Sequence, residues 1–293
     1  VDFGRLITAM VTPFNQNNEI NWDETARLIE YLIVEQKSDS LVIAGTTGES
    51  PTLSEDEKLE LFKFAVKQAG GRSKIIAGTG SNDTAHSAEL TKKAESCGVD
   101  GILLVAPYYN KPNQEGLYQH FKAIAEATSL PIMLYNVPGR TGISLSTATT
   151  LRLAQLPNIV ATKECASIDQ VTAIATGAPD GFIVYSGDDS SALPALAVGA
   201  YGIVSVASHI AGARMKDMIH AYVEGNVKEA AKLHQSLFTL FKGLFECPDP
   251  LPNPAAVKLA LHERGYQVGG VRLPLVSPSE NEAAFIRNML SSL

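Results

Sequence analysis

The chain has 293 residues, 45% of them hydrophobic and 19% charged, which fits a compact globular protein and excludes a disordered one. Its 31 acidic residues against 24 basic ones give a net charge of −7, which argues against phosphate-held nucleic-acid binding and against polybasic membrane contact. No apolar run approaches the roughly 20 residues of a membrane helix. The opening VDFGRLITAM does not read as a signal peptide, and Cys97, Cys165 and Cys247 are isolated. No disulfide framework or zinc site is expected, and a reducing, cytoplasmic setting is.

In chain order, a β-like run at 6–14 precedes a helical pattern at 22–36. A second run, 40–48, leads into Gly45-Thr-Thr-Gly-Glu-Ser50, and Ser54-Glu-Asp-Glu57 is a capping box that opens the next helix. A third run covers 74–80. A fourth, 101–109, ends in Pro107-Tyr-Tyr-Asn110 and precedes a helix at 114–127. A fifth, 131–138, leads to Tyr135-Asn-Val-Pro-Gly-Arg140 and a helix at 145–156. A sixth, 158–165, carries Thr162-Lys-Glu164 ahead of a helix at 168–176. A seventh, 182–189, ends in Ser186-Gly-Asp-Asp189 and meets a short helix at 190–198. The eighth is 202–209. Beyond it only helical patterns remain, at 211–224, 227–244, 253–264 and 278–290, interrupted by a proline-rich loop at 246–253.

Strand then helix, eight times, points to a closed (β/α)8 TIM barrel over residues 1–224, with a C-terminal helical appendage over 225–293. An open doubly wound sheet is the rival. The lack of a Gly-x-Gly-x-x-Gly turn after the first run weakens its dinucleotide-binding form.

In such a barrel chemistry sits at the C-terminal strand ends. Lys163 lies in an apolar strand, where desolvation favours the neutral, nucleophilic amine that forms imines with ketones. The alternative is a strand-end lysine paired with Glu164 and facing water, and position alone does not choose between them. Tyr135, on the neighbouring strand, is a proton shuttle or a core tyrosine. Thr46 and Thr47 offer amides and hydroxyls to a carboxylate, or form an ordinary glycine-rich turn. Arg140 is a loop guanidinium for a carboxylate, or a surface arginine. Asp188 and Asp189 suit loop capping better than a metal site, since only His209 of the six histidines falls at a strand end.

Together these residues resemble the dihydrodipicolinate synthase (4-hydroxy-tetrahydrodipicolinate synthase) family of pyruvate-dependent class I aldolases. The likeness runs from Thr8-Ala-Met-Val-Thr-Pro-Phe14 to Arg272-Leu-Pro-Leu275. It includes the glycine-threonine loop, Tyr108-Tyr-Asn-Lys-Pro112, Gly116-Leu-Tyr-Gln-His-Phe121, Tyr135-Asn-Val-Pro-Gly-Arg-Thr141 and Ser186-Gly-Asp-Asp189. The resemblance implies a lyase of lysine and diaminopimelate biosynthesis that condenses pyruvate with aspartate 4-semialdehyde without cofactor or metal. Lys163 would form the imine, and Tyr135, Thr46 and Tyr109 the proton relay, with Tyr109 reaching into a neighbouring subunit of a homotetramer. Thr47, Arg140, Gly187 and Val204 would bind substrate. Two other readings remain: a sibling lyase acting on a sugar acid, which would lack the Pro-Gly-Arg-Thr loop, and a barrel that binds a keto acid without turnover.

Lysine-inhibited relatives carry a feedback site near Ser50, Pro51, Glu55, Lys58, Asn82, His86 and Tyr108. They tend to have His where this chain has Glu55 and Glu where it has His86, so a vestigial site is expected. The family's Asn-Pro-x-Pro-x-Lys segment reads Asn253-Pro-Ala-Ala-Val-Lys258 here.

Overall fold

A computed structural model describes residues 2–248 and 251–293. Eight parallel strands close in sequence order into a barrel: β1 (Leu6–Ala9), β2 (Ser40–Ile43), β3 (Lys74–Gly78), β4 (Gly101–Val105), β5 (Ile132–Asn136), β6 (Ile159–Glu164), β7 (Ile183–Ser186) and β8 (Gly202–Ser205). All eight expected runs contain a strand, and the doubly wound rival is excluded by the β1–β8 pairing, Ile7 opposite Val204.

The strands are four to six residues long and stop short of the expected C-terminal ends. Met10, Val11 and Phe14 are as buried as the strand before them, so apolar content did not mark where pairing ends. The released segments are the loops that carry the site.

Around the barrel run α1 (Trp22–Val34), α2 (Glu55–Ala69), α3 (Thr84–Glu95), α4 (Gln114–Ala125), the single turn α5 (Pro138–Thr141), α6 (Thr147–Leu153), α7 (Ile168–Gly177), α8 (Ala192–Ala197) and α9 (Ser208–Val223). Side-chain caps set most of their starts. Asn21, Asp83, Asn113, Ser146 and Ser167 each accept an amide hydrogen of the first turn, and Ser54 and Glu57 form the expected capping box. Helix α3 was not anticipated. Its buried face is Ser87, Leu90, Thr91 and Ala94, half of it polar, which dilutes the helical hydrophobic signature. Helix α9 begins before the expected residue 211, with non-helical torsions at Ala211 where two helical pieces join.

Two apolar layers result. Phe3, Ile7, Val42, Ile76, Leu103, Met133, Ala161, Tyr185 and Val204 fill the barrel interior. Leu41, Ile43, Ile75, Leu104 and Leu134 point outward to the helices, so the strands are buried on both faces.

The C-terminal helices α10 (Val227–Gly243), α11 (Ala255–Glu263) and α12 (Glu280–Ser291) follow. Leu237, Leu240, Phe241, Leu261 and Ile286 share one apolar cluster with Met215 and Met218 of α9. Of the proline-rich loop 246–253, residues 249 and 250 lie outside the described residues. Among the described residues no helix is long and apolar enough to cross a membrane.

Candidate active site

The register of β5 on β6 sets Tyr135 directly opposite Lys163, and that of β6 on β7 sets Lys163 opposite Tyr185. The period-two alternation of β6 turns Lys163 and Cys165 to one face and Glu164 to the other. Lys163 is 5% exposed, its Nζ 4.1 Å from the centroid of the Tyr135 ring, and it makes no ion pair among the described residues. The solvent-facing alternative for Lys163 is therefore excluded, and so is pairing with Glu164, whose carboxylate is held elsewhere. Burial pulls the Lys163 ammonium below the ordinary lysine range, with Cys165 and Asp189 opposing and Arg140 adding to the shift. Burial also drives the Tyr135 phenol up, while Arg140 and the Thr46 side chain oppose.

Gly187 packs against the lysine stem. A Cβ there would collide with Cys165 Sγ and lie 2.8 Å from Lys163 Cε, so only glycine leaves room for this rotamer. Val204 lies in the barrel interior layer, 1% exposed. Cys165 was not anticipated as a neighbour of the site, although its two-residue spacing from Lys163 was a readable signal. Burial pushes its thiol up to about 12, which keeps it protonated.

A cavity of about 640 Å³ opens from Tyr135, Thr46, Gly45 and Arg140. The same space reaches Ser50, Pro51, Glu55, Lys58, Asn82, His86 and Tyr108, so the candidate feedback residues share one hollow with Thr46, Tyr135 and Arg140, while Lys163 lies beneath the Tyr135 ring rather than in its lining. Glu55 is engaged there by Lys93 at 2.5 Å, with His86 Nδ1 at 3.8 Å. The Lys93 contact holds Glu55 below the usual carboxylate range, and burial lowers Lys58.

The backbone around this mouth is strained. Ala44, Glu49, Tyr109 and Lys111 all adopt left-handed torsions, at φ of 54°, 59°, 74° and 47°. Such conformations persist only where the surroundings over-determine them, and they concentrate at working parts of proteins. Between Ala44 and Glu49, the amides of Thr46 and Thr47 donate to no other group among the described residues. The Thr47 side chain is not open to the cavity. It is 2% exposed, and its Oγ1 accepts a hydrogen bond from Asn253 Nδ2 at 2.8 Å. Tyr109 stands apart as well, 88% exposed and outside the lining of the chain's own hollow.

Glu49 anchors this loop. Its carboxylate lies 2.8 Å from Lys258 Nζ, with both side chains at most 2% exposed, and its second oxygen accepts the Arg272 amide at 2.8 Å. Lys258 also donates to Gly270 O at 2.6 Å. Arg272 binds Glu57, the capping residue of α2, through both of its terminal nitrogens. Asn253 and Lys258, at the two ends of the segment that lacks the family's second proline, make these contacts themselves.

The remaining candidates are structural. Asp188 caps the turn after β7 through Ser190 N and Ser191 Oγ. Asp189 accepts from Ser205 Oγ and from the amides of Val206 and Ala207, tying β7 to β8; burial pushes it up to about 6. His209 is buried, accepts the Val11 amide through Nε2, and is pulled down to about 4 by burial, which keeps it neutral.

With this geometry in place, the comparisons with known proteins decide the family. The sequence profile of the Dihydrodipicolinate synthetase family matches residues 2–293. The chain belongs to the dihydrodipicolinate synthetase family. Within that family it is 56% identical to the 4-hydroxy-tetrahydrodipicolinate synthase of Desulforamulus reducens, over 100% of this chain and 98% of the relative. A crystal structure of dihydrodipicolinate synthase from Bacillus anthracis superposes with a TM-score of 0.97 at 50% identity, covering 100% of this chain and 99% of that one. A structure of the Cyanidioschyzon merolae family member with lysine bound superposes at 0.95 and 43% identity, covering 99% and 98%.

Proposed function

We propose that this family member is a 4-hydroxy-tetrahydrodipicolinate synthase. It condenses pyruvate with L-aspartate 4-semialdehyde through an imine on Lys163. The observation that carries the reading is a buried lysine, without an ion pair among the described residues, set opposite Tyr135 at the strand ends of a barrel that matches a relative of that name over its whole length.

In the first step Lys163 Nζ attacks the keto carbon of pyruvate and water leaves, giving the imine. Loss of a methyl proton gives the enamine, whose carbon attacks the aldehyde of the semialdehyde. The amine of that second substrate then attacks the imine carbon, closes the ring and releases Lys163. Tyr135 and Thr46 move the protons, together with Tyr109 from a neighbouring copy. The unengaged amides of Thr46 and Thr47 hold the pyruvate carboxylate, so Thr47 acts through its backbone. Gly187 and Val204 shape the floor, and Arg140 holds the carboxylate of the semialdehyde. The exposure of Tyr109 supports a homotetramer in which that ring completes a partner's site. The division into a catalytic barrel, 1–224, and a helical region, 225–293, gives the latter the part of a brace, through Asn253, Lys258 and Arg272.

The test is borohydride reduction with pyruvate, peptide mass spectrometry, and turnover with aspartate semialdehyde against a sugar acid. A pyruvyl adduct on Lys163 with turnover of the semialdehyde supports the reading. Preferred turnover of the sugar acid gives the sibling lyase, and an adduct on another lysine overturns the site.

Because the neutral amine is the nucleophile, the rate of adduct formation is expected to rise with pH. It should level off well below the ordinary lysine range, as the lowered Lys163 requires. A plateau only at the ordinary lysine value would contradict the burial argument.

Inhibition by lysine is expected to be weak or absent. An incoming ammonium would have to displace Lys93 from Glu55 and sit near the half-buried Lys58. A steady-state titration showing strong inhibition at low lysine concentration would reverse this.

A further inference from the structure

Directly behind Tyr135 and Lys163 lies a polar cluster on the outer face of the barrel. Asn136 is opposite Glu164 in the β5–β6 register, one residue beyond the Tyr135–Lys163 pair. Asn136 is fully buried and Glu164 is 2% exposed. Asn136 Nδ2 donates to both carboxylate oxygens of Glu164, at 2.9 and 3.1 Å. Asn136 Oδ1 accepts the amide of Leu145 at 2.9 Å. Glu164 Oε1 also accepts the Ala166 amide at 2.7 Å, and Oε2 accepts Gln170 Nε2 at 3.2 Å. Gln170 in turn donates to Leu145 O at 2.7 Å.

We infer that Asn136 and Glu164 are positioning residues that hold Tyr135, Lys163 and the Arg140 segment in one reactive arrangement. The inference rests on the reading of Lys163 as the imine-forming residue. The connections explain the choice of groups. The carboxamide offers a donor to β6 and an acceptor to residue 145, which closes the segment bearing Arg140. While ionised, the carboxylate is an acceptor only, and every donor facing it comes from β5, from the start of α7 or from the chain just beyond β6. A buried network of this kind fixes its members only when every donor meets an acceptor. Burial raises Glu164 to about 7, the cost of keeping a carboxylate there. Hydrophobic residues would close the same space without that cost, but they would not fix the angular relation of two strand ends and a loop. Neither residue touches substrate, because both face away from the barrel interior.

The test is a double-mutant cycle read on the single-turnover rate constant of adduct formation with excess pyruvate. That constant separates positioning from stability, because a merely destabilised protein loses amplitude and keeps its rate constant. Asn136→Asp sets two buried carboxylates face to face and is expected to slow the reaction about 100-fold, the effect of displacing reacting groups by about 1 Å. Glu164→Gln turns one amide donor toward the facing donors and is expected to slow it about tenfold. The double variant, Asn136→Asp with Glu164→Gln, restores acceptor against donor, and its rate constant is expected to return to within about threefold of the unsubstituted chain. Native rate constants in both single variants would overturn the inference while leaving Lys163 in place. So would single-variant losses that merely add in the double variant. If Asn136→Asp does not fold, Glu164→Gln decides alone, a slowed rate constant supporting the inference and an unchanged one overturning it. No adduct on the unsubstituted chain would remove the proposed function and this inference together.

Discussion

Lys163→Ala is expected to abolish the borohydride-trapped pyruvyl adduct and to reduce turnover by at least about 1,000-fold, the scale on which single nucleophile deletions act in covalent catalysis. The fold should survive. Lys163 makes no ion pair among the described residues, and removing a buried amine from an apolar layer leaves no orphaned partner. Circular dichroism and the thermal midpoint should therefore stay close to those of the unsubstituted protein while activity is lost. Residual turnover above that level would mean that another group carries the covalent step. Pyruvate binding by the unsubstituted chain without any adduct would identify a keto-acid binder instead.

Lys258→Ala is expected to act the other way, on stability first. It leaves the Glu49 carboxylate buried without its counter-charge, and breaking such a pair from one side costs about 3–5 kcal/mol. Denaturant unfolding measures the loss directly. Activity should fall with it, because Glu49 holds the end of the loop that begins at Gly45. Replacing both partners with apolar residues of similar volume should recover much of the stability. It should not recover the activity, since the Arg272 amide also rests on Glu49. A Lys258→Ala protein as stable as the original would show that the pair contributes nothing net.

The barrel was legible because its strands are continuous apolar runs at regular spacing, a pattern few other folds produce. The strand ends were less so. Residues 10–14 are as buried as β1 itself, and it is pairing that distinguishes them. Lys163 and Tyr135 stood out because a cation and a phenol are conspicuous in such runs, and adjacency of consecutive strands brought them together. Helix α3 escaped because its buried face uses Ser87 and Thr91. The Thr47 side chain looked open because nothing local announces Asn253, a partner 206 positions away. Likewise Asn136 read as an ordinary polar residue at a strand end, and Glu164 only as an alternative ion-pair partner for Lys163. Their meaning lies in the register, which the residue types alone do not specify.

The ties from the C-terminal region to the glycine-threonine loop also fix an order of assembly. Asn253 to Thr47, Arg272 to Glu57 and Arg272 to Glu49 span 206, 215 and 223 positions. A ribosome emits the chain at about 5–20 residues per second, so more than ten seconds separate the loop from its anchors. Throughout that interval the loop with its left-handed Ala44 and Glu49 lacks the contacts that hold it. The mouth of the barrel is therefore closed late, and the chain becomes competent for imine chemistry only after Arg272 has been made.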